Sequence, residues 1–285
     1  MAAHACCGHV TRTMSEPTQT EIGGYPGLFA KGEGRDRPFP LLFLHGVMGH
    51  HEQFGNYLRF FSAAGFDSYA VSRRGRQGVP PEDSRGVRTA DYVDDTFLVI
   101  RALEREPVVV GQSLGALLAQ KAAEAGLCRA AVLIAAAPPR GVGLRPPLSA
   151  IPFYLSAMPA ILTGRPKLIP YDVVSRVAMA KVPEPERHRI YDDFVPESGL
   201  VFRELAIGTP VDASKVDCPI LCVTGTDDGV YPPRIVRAIA RRYNADVQEC
   251  PGHGHWIVEE PGWQECAEGV LAWLEEQSAS STVDN

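Results

Sequence analysis

The chain has 285 residues, 45% hydrophobic and 22% charged, which is enough apolar material for one large α/β domain or two small ones and excludes a disordered or fibrous protein. Its net charge of −6 lacks the basic excess that general nucleic-acid binding needs, so a small-molecule substrate is expected and no nucleic-acid partner. The seven cysteines show no paired metal spacing, which points to free thiols in a reducing, cytoplasmic compartment and to no metal site.

Residues 1–20 read as a flexible extension, because MAAHACCGHVTRTMSEPTQTE has no unbroken apolar core of a signal peptide. From residue 38 short apolar runs alternate with longer amphipathic ones, the pattern of a mostly parallel, doubly wound sheet. PFPLLFLHG is a predicted strand, HEQFGNYLRFFSAAG a helix and FDSYAVSRRG a strand. TADYVDDTFLVIRALERE follows as a helix with Val93, Phe97 and Ile100 on one stripe, and VVV as a buried strand leading to Gly111. ALLAQKAAEAGL is a helix that Gly126 can end, and RAAVLIAAAPP is the next strand.

The alternation then stops. Residues 140–210 are rich in proline and predict only short helical stretches such as YDVVSRVAMAKV. Residues 148–162, LSAIPFYLSAMPAIL, are too short and too proline-interrupted for a membrane span, so no stable membrane insertion is expected. The sheet pattern resumes with the strand PILCVTGTDD, the helix PRIVRAIARRYN, the strand DVQEC and the helix PGWQECAEGVLAWLEEQ, where Cys266, Val270 and Trp273 share a face. Residues 278–285 read as a disordered tail.

PVVVGQSLGALLAQKAA, residues 107–123, sets Ser113 between Gly111 and Gly115 where a strand meets a helix. A match to G-x-S-x-G is weak in a chain with 27 glycines, but this strand-to-helix context holds a serine up at the carboxyl edge of a sheet. A serine nucleophile needs a histidine base and a carboxylate to orient it, following in the order acid then histidine. VTGTDDGVYPP offers Asp227 and Asp228, and CPGHGHW offers His253 and His255, each after a later strand. Either acid and either histidine fits at this point, the alternatives being a turn-forming aspartate and an exposed or capping histidine.

These motifs together resemble the α/β hydrolase superfamily over residues 38–276. The resemblance implies a core of residues 21–139 and 211–277, with residues 140–210 as a helical cap inserted after the sixth core strand. It selects Asp228, three residues after the strand-ending Gly225, and His255 in GHGHW. It also implies that FLHGVMGHHEQF is an oxyanion loop, with the backbone N–H groups of Val47 and Leu114 as donors. His45, His50 and His51 lack carboxylate partners at metal spacing and read as structural or surface histidines. In place of the family's Asp-x-Arg-Gly-x-Gly loop stands SRRGRQG, with Ser72 and Gln77 departing from it. Its Arg73, Arg74 and Arg76 are expected to form a solvated turn with ion pairs at the sheet edge, the alternative being contact with an anionic group of the substrate.

In the insertion, Phe153, Tyr154, Met158 and Ile161, with Leu155 and Leu162, are candidate pocket residues, or packing between cap and core. The six basic residues against one acid over residues 140–181 either attract anions or solvate the lid. The expected activity is hydrolysis of small apolar carboxylic esters through an acyl-enzyme at Ser113, with His255 as base, Asp228 as its orienting acid and no cofactor. Thioester or lactone cleavage, C–C bond hydrolysis and cofactor-free peroxidation share this machinery. A non-catalytic binding protein would be expected to lack a triad member, and none is missing.

Overall fold

The computed structural model describes residues 16–34, 36–76, 79–80, 83–142 and 148–280. Its strands are β1 (Thr18–Ile22), β2 (Tyr25–Ala30), β3 (Leu41–Leu44), β4 (Ser68–Val71), β5 (Val108–Gln112), β6 (Ala130–Ile134), β7 (Ile220–Gly225) and β8 (Asp246–Cys250). They form one sheet in the order β1-β2-β4-β3-β5-β6-β7-β8. β4 through β8 pair in parallel, and β1 and β2 add an antiparallel edge.

The helices of the core are α1 (Gly55–Ala63), α2 (Thr89–Ala102) and α3 (Leu114–Glu124), with α8 (Pro233–Tyr243) and α9 (Trp263–Ser280) after the insertion. Between β6 and β7 the insertion folds as α4 (Ile151–Thr163), α5 (Tyr171–Val177), α6 (Glu184–Asp192) and α7 (Gly199–Ile207).

The central strands are predominantly apolar because both of their faces are covered. Side chains alternate across a strand, so Leu42, Leu44, Val109 and Leu133 pack with α2, α3, α8 and the insertion. Leu41, Phe43, Val108, Val110 and Val132 pack with α1 and α9 on the opposite face. Cys266, Val270 and Trp273 lie on the buried face of α9, as their spacing predicts.

Several expectations change at the element level. Thr18 to Thr20 belong to β1, so the loose extension expected over residues 1–20 does not hold there, and residues 1–15 lie outside those described. β1 and β2 form a hairpin whose two turn residues, Gly23 and Gly24, have φ of 61° and 86°, the backbone a two-residue turn requires. α9 runs to Ser280, so the expected tail is helical over residues 278–280; residues 281–285 are outside those described. On α2 the expected Ile100 is buried and Val93 and Phe97 pack against the core, but the buried face also takes in Tyr92, Asp95, Thr96 and Val99, because Asp95 binds Arg74 and the Tyr25 hydroxyl.

The insertion is more helical than its prolines suggest. α4 extends for 13 residues: Pro152 occupies the first turn, where its missing N–H has no acceptor to lose, and Pro159 sits inside the helix. Among the described residues no helix is long and apolar enough to cross a membrane.

Candidate active site

In a parallel sheet every strand ends at the same edge, and a crevice opens where successive connections leave in opposite directions. β3 connects toward β4 and β5 toward β6, so that divergence lies between β3 and β5. Ser113 follows β5 immediately and caps α3 with φ 56° and ψ −115°, a conformation rare for a residue with a side chain. Such strain typically costs about 1–3 kcal/mol and persists only where the surroundings enforce it. Here β6 enforces it: the Ser113 N–H donates to the Ile134 carbonyl at 2.9 Å, and the Ala137 N–H donates to the Ser113 carbonyl at 3.1 Å. The flanking glycines are steric necessities. A Cβ on Gly111 would collide with the Gly115 carbonyl, and one on Gly115 with the Leu44 carbonyl.

The two acids and the two histidines have different partners. His255 Nδ1 lies 2.9 Å from Asp228 Oδ2, with both side chains buried. Asp228 Oδ1 accepts the N–H groups of Val230 and Tyr231 at 2.7 and 2.8 Å, which locks the carboxylate's orientation. Asp227 points outward and pairs with Lys181 at 2.6 Å. His253 is buried rather than exposed, its Nδ1 lying 3.1 Å from Glu260 Oε2.

Close backbone approach brings the two loops together, since a Cβ on Gly225 would strike the carbonyls of His253 and Gly254. Glu260 shapes the second loop by accepting the N–H groups of Gly254 and Trp256 as well as bonding His253. Burial raises its pKa above the usual carboxylate range. Nothing in the sequence distinguishes Glu260 from the exposed glutamates of α9.

The loop after β3 passes beside Ser113: a Cβ on Gly46 would lie 3.2 Å from the Ser113 Cβ and 2.7 Å from Gln112 Oε1. Among the described residues neither the Val47 nor the Leu114 N–H donates to another protein group. Leu114 opens α3, whose N-terminal end carries the partial positive charge of the helix dipole.

The arginines after β4 depart from expectation. Arg74 does pair with Asp91 and Asp95, but Arg73 and Arg76 are only 1% exposed and do not form a solvated turn. Arg73 donates to the carbonyls of His45 at 2.6 Å and Gly46 at 3.0 Å, and stacks on Tyr92. Arg76 pairs with Glu197 at 2.5 Å and donates to the Gly49 carbonyl at 3.1 Å. Ser72, where the resemblance leads one to expect an acid, places its hydroxyl 2.8 Å from His51 Nδ1; Gln77 lies outside the described residues.

Burial, reinforced by Arg73 and Arg76, holds the His45 pKa well below its ordinary value, and burial lowers His51 to about 4. Among the described residues no group of three or more His, Cys, Asp or Glu could hold a metal.

Ser113, His255, Gly46 and Val47 share a cavity whose remaining wall is mainly apolar, including Phe153, Ile161, Phe194, Phe202 and Trp256, with Gln112, Tyr154 and Tyr231 as its uncharged polar members. Among the described residues no Lys, Arg, Asp or Glu lines it. Of the residues expected there from the insertion, Phe153, Tyr154 and Ile161 face it, but Met158 does not. Met158 is 40% exposed on the outer side of α4, as are Leu155 and Leu162. The helical turn decides this: positions 154, 157 and 161 share one face, and positions 155, 158 and 162 a stripe roughly 100° further round the helix. Phe194, Phe202, Val230 and Trp256 carry no local signal of their role, because the loops and α7 that bring them here are placed by tertiary packing.

Three solved structures share this architecture. A monoacylglycerol lipase from Paleococcus ferrophilus is 20% identical, with 88% of this chain and 99% of that one covered at a TM-score of 0.65. A carboxylesterase from Nitrososphaera gargenis is 15% identical over 93% and 99%, with a TM-score of 0.68. A thermophilic esterase from Thermogutta terrifontis is 18% identical over 92% and 99%, with a TM-score of 0.65. No curated protein matches the chain by sequence. The model of the alpha/beta hydrolase family matches residues 41–268, with the helical insertion after the sixth strand, and the chain therefore belongs to that family.

Proposed function

We propose that this protein is a serine esterase that cleaves small, uncharged, apolar carboxylic esters through an acyl-enzyme. The observation that carries the reading is the hydrogen bond of 2.9 Å between Asp228 and Nδ1 of His255, a residue that lines the same cavity as Ser113. A carboxylate on Nδ1 keeps the proton there, which leaves Nε2 with the lone pair a base requires.

In this reading Ser113 Oγ attacks the ester carbonyl carbon while His255 takes its proton, and the carbonyl oxygen becomes an oxyanion. The N–H groups of Val47 and Leu114, with the positive end of α3, stabilise that oxygen. Collapse of the tetrahedral intermediate breaks the C–O bond, and the imidazolium protonates the departing alcohol. Water then repeats the sequence on the acyl-serine, returning the proton to Ser113 and releasing the acid.

An uncharged substrate follows from the cavity wall. A carboxylate or ammonium there would be desolvated without a partner, which is prohibitive. The esterase and lipase structures of the same fold are consistent with this chemistry.

The test is incubation with p-nitrophenyl esters of increasing acyl length, followed by fluorophosphonate labelling and mapping of the modified residue. Turnover of the short esters and modification of Ser113 are expected. No turnover at any length, with labelling absent or elsewhere, sinks the reading.

A further inference from the structure

The loop from His45 to Gly49 is gripped from behind by a buried polar cluster. Arg73 holds the carbonyls of His45 and Gly46, and Arg76 holds that of Gly49. The N–H of Met48, a residue strained at φ 61°, donates to Glu197 Oε2 at 3.3 Å. Glu197 comes from the insertion, is fully buried, and also accepts the Tyr92 hydroxyl at 2.7 Å and the Arg76 guanidinium. The Val47 N–H is outside this grip.

Arg73 is the unusual member. Its guanidinium is buried, yet among the described residues no carboxylate forms an ion pair with it; Glu197 is engaged by Arg76. Glu197 and Asp95 act on it only through space, and a buried cation without a direct ion pair is costly, so an apolar side chain of similar size would serve packing better. Burial lowers its pKa to about 10, so it stays charged through the neutral range.

Geometry gives this charge a purpose. In a planar trans peptide the carbonyl and the next N–H point in opposite directions. Drawing the Gly46 carbonyl toward Arg73 therefore turns the Val47 N–H to the other side. Hydrogen bonding a cation to the carbonyl also polarises the same peptide and strengthens its N–H as a donor.

We propose that Arg73 is a positioning residue for the oxyanion: its guanidinium orients and polarises the peptide joining Gly46 to Val47, so that the Val47 N–H is preorganised for negative charge developing on substrate. This rests on the esterase reading above and extends it to a residue that touches neither substrate nor Ser113.

The experiment compares wild type with Arg73→Met and Arg73→Lys in three measurements: kcat and KM on a short p-nitrophenyl ester, inhibition by butylboronic acid, and inhibition by an unreactive ether isostere of the ester. The boronic acid forms a tetrahedral adduct with a serine and reports on the oxyanion site; the ether reports on the cavity alone. For Arg73→Met, kcat is expected to fall about 100-fold, in the range for loss of one oxyanion donor, with KM within about twofold. Boronic acid affinity should fall in parallel and ether affinity should not change. Arg73→Lys, which keeps the charge but loses the fork, should fall between the two.

Retained kcat and boronic acid affinity in either variant overturn the assignment, as does a proportional loss of boronic acid and ether binding, which marks a collapsed cavity. If Arg73→Met does not fold, Arg73→Lys decides: wild-type kcat in that variant overturns the assignment, and a selective loss of kcat and boronic acid affinity supports it. A wild-type protein with no turnover and no boronic acid binding overturns the esterase reading itself, and this assignment with it.

Discussion

Asp228 and His255 follow different strands, β7 and β8, yet their side chains meet in a buried hydrogen bond of 2.9 Å, while the neighbouring Asp227 turns to solvent and pairs with Lys181. Adjacent residues with identical chemistry thus occupy opposite environments. Asp228→Asn should lower kcat by about 10³–10⁴, since an amide favours the wrong imidazole tautomer. Asp227→Asn should leave kcat within about twofold. Steady-state kinetics of the two variants on one ester checks this, and the reverse ranking would move the acid to Asp227.

The two faces of α4 should separate in substrate preference. Phe153 and Ile161 line the cavity, whereas Met158 is exposed on the other side. Phe153→Ala is expected to shift the preferred acyl chain toward longer esters by enlarging the cavity. Met158→Ala should leave the chain-length profile unaltered. A changed profile in the Met158 variant would place that side chain in contact with substrate.

Glu260 bonds the His253 ring and accepts two backbone N–H groups of the loop that carries His255. Glu260→Ala leaves those buried donors unpaired, at a cost of about 2–4 kcal/mol. Glu260→Gln keeps an acceptor and should lose less. Urea unfolding of both variants measures the difference, and equal midpoints for Ala and wild type would show that the loop is held by other contacts.

Acid should destabilise the fold through its buried histidines. His51 is lowered to about 4 and His45 well below its ordinary value, each by burial first, while both titrate near 6.5 when unfolded. Below that pH the unfolded chain binds protons that the folded chain refuses, so stability is fully present above about pH 6.5 and is lost as pH falls toward 4. His51 contributes at most about 3 kcal/mol over this window. Glu259 and Glu260, raised by burial, oppose the trend as they protonate in the fold. The urea midpoint is expected to fall between pH 6.5 and 4.5. His51→Asn, which keeps a polar group facing Ser72, should flatten the slope; an unchanged slope would exclude His51 as its source.

Much of this architecture was legible as pattern. The strands from β3 onward and the core helices follow from hydrophobic periodicity, because burial on both sheet faces leaves a continuous apolar run and burial on one helix face leaves a stripe. The hairpin of β1 and β2 carries its own signal in IGGY, a two-glycine turn between two short runs, but its strands are half exposed and lack the continuous apolar run of the central ones. The stripe of α2 holds at Ile100, with Val93 and Phe97 packed against the core, but the buried face is wider than periodicity indicates, because an ion pair with Arg74 buries Asp95 and periodicity counts such a residue as polar and outward.

The same division runs through the site. Gly111, Ser113 and Gly115 stand out along the chain because a sharp strand-to-helix turn makes a local steric demand that only certain residues meet. The partners of Asp228 and His255, the burial of Arg73 and Arg76 and the contact of Glu197 with Met48 depend on which loops the sheet brings to one edge. The amino-acid order alone determined the layered fold, the strained serine and a short list of acids and histidines, since these arise from local propensity and burial period. Only tertiary structure decided which members of that list meet and where the arginines are buried, because charged and polar side chains are assigned by partners far away in sequence.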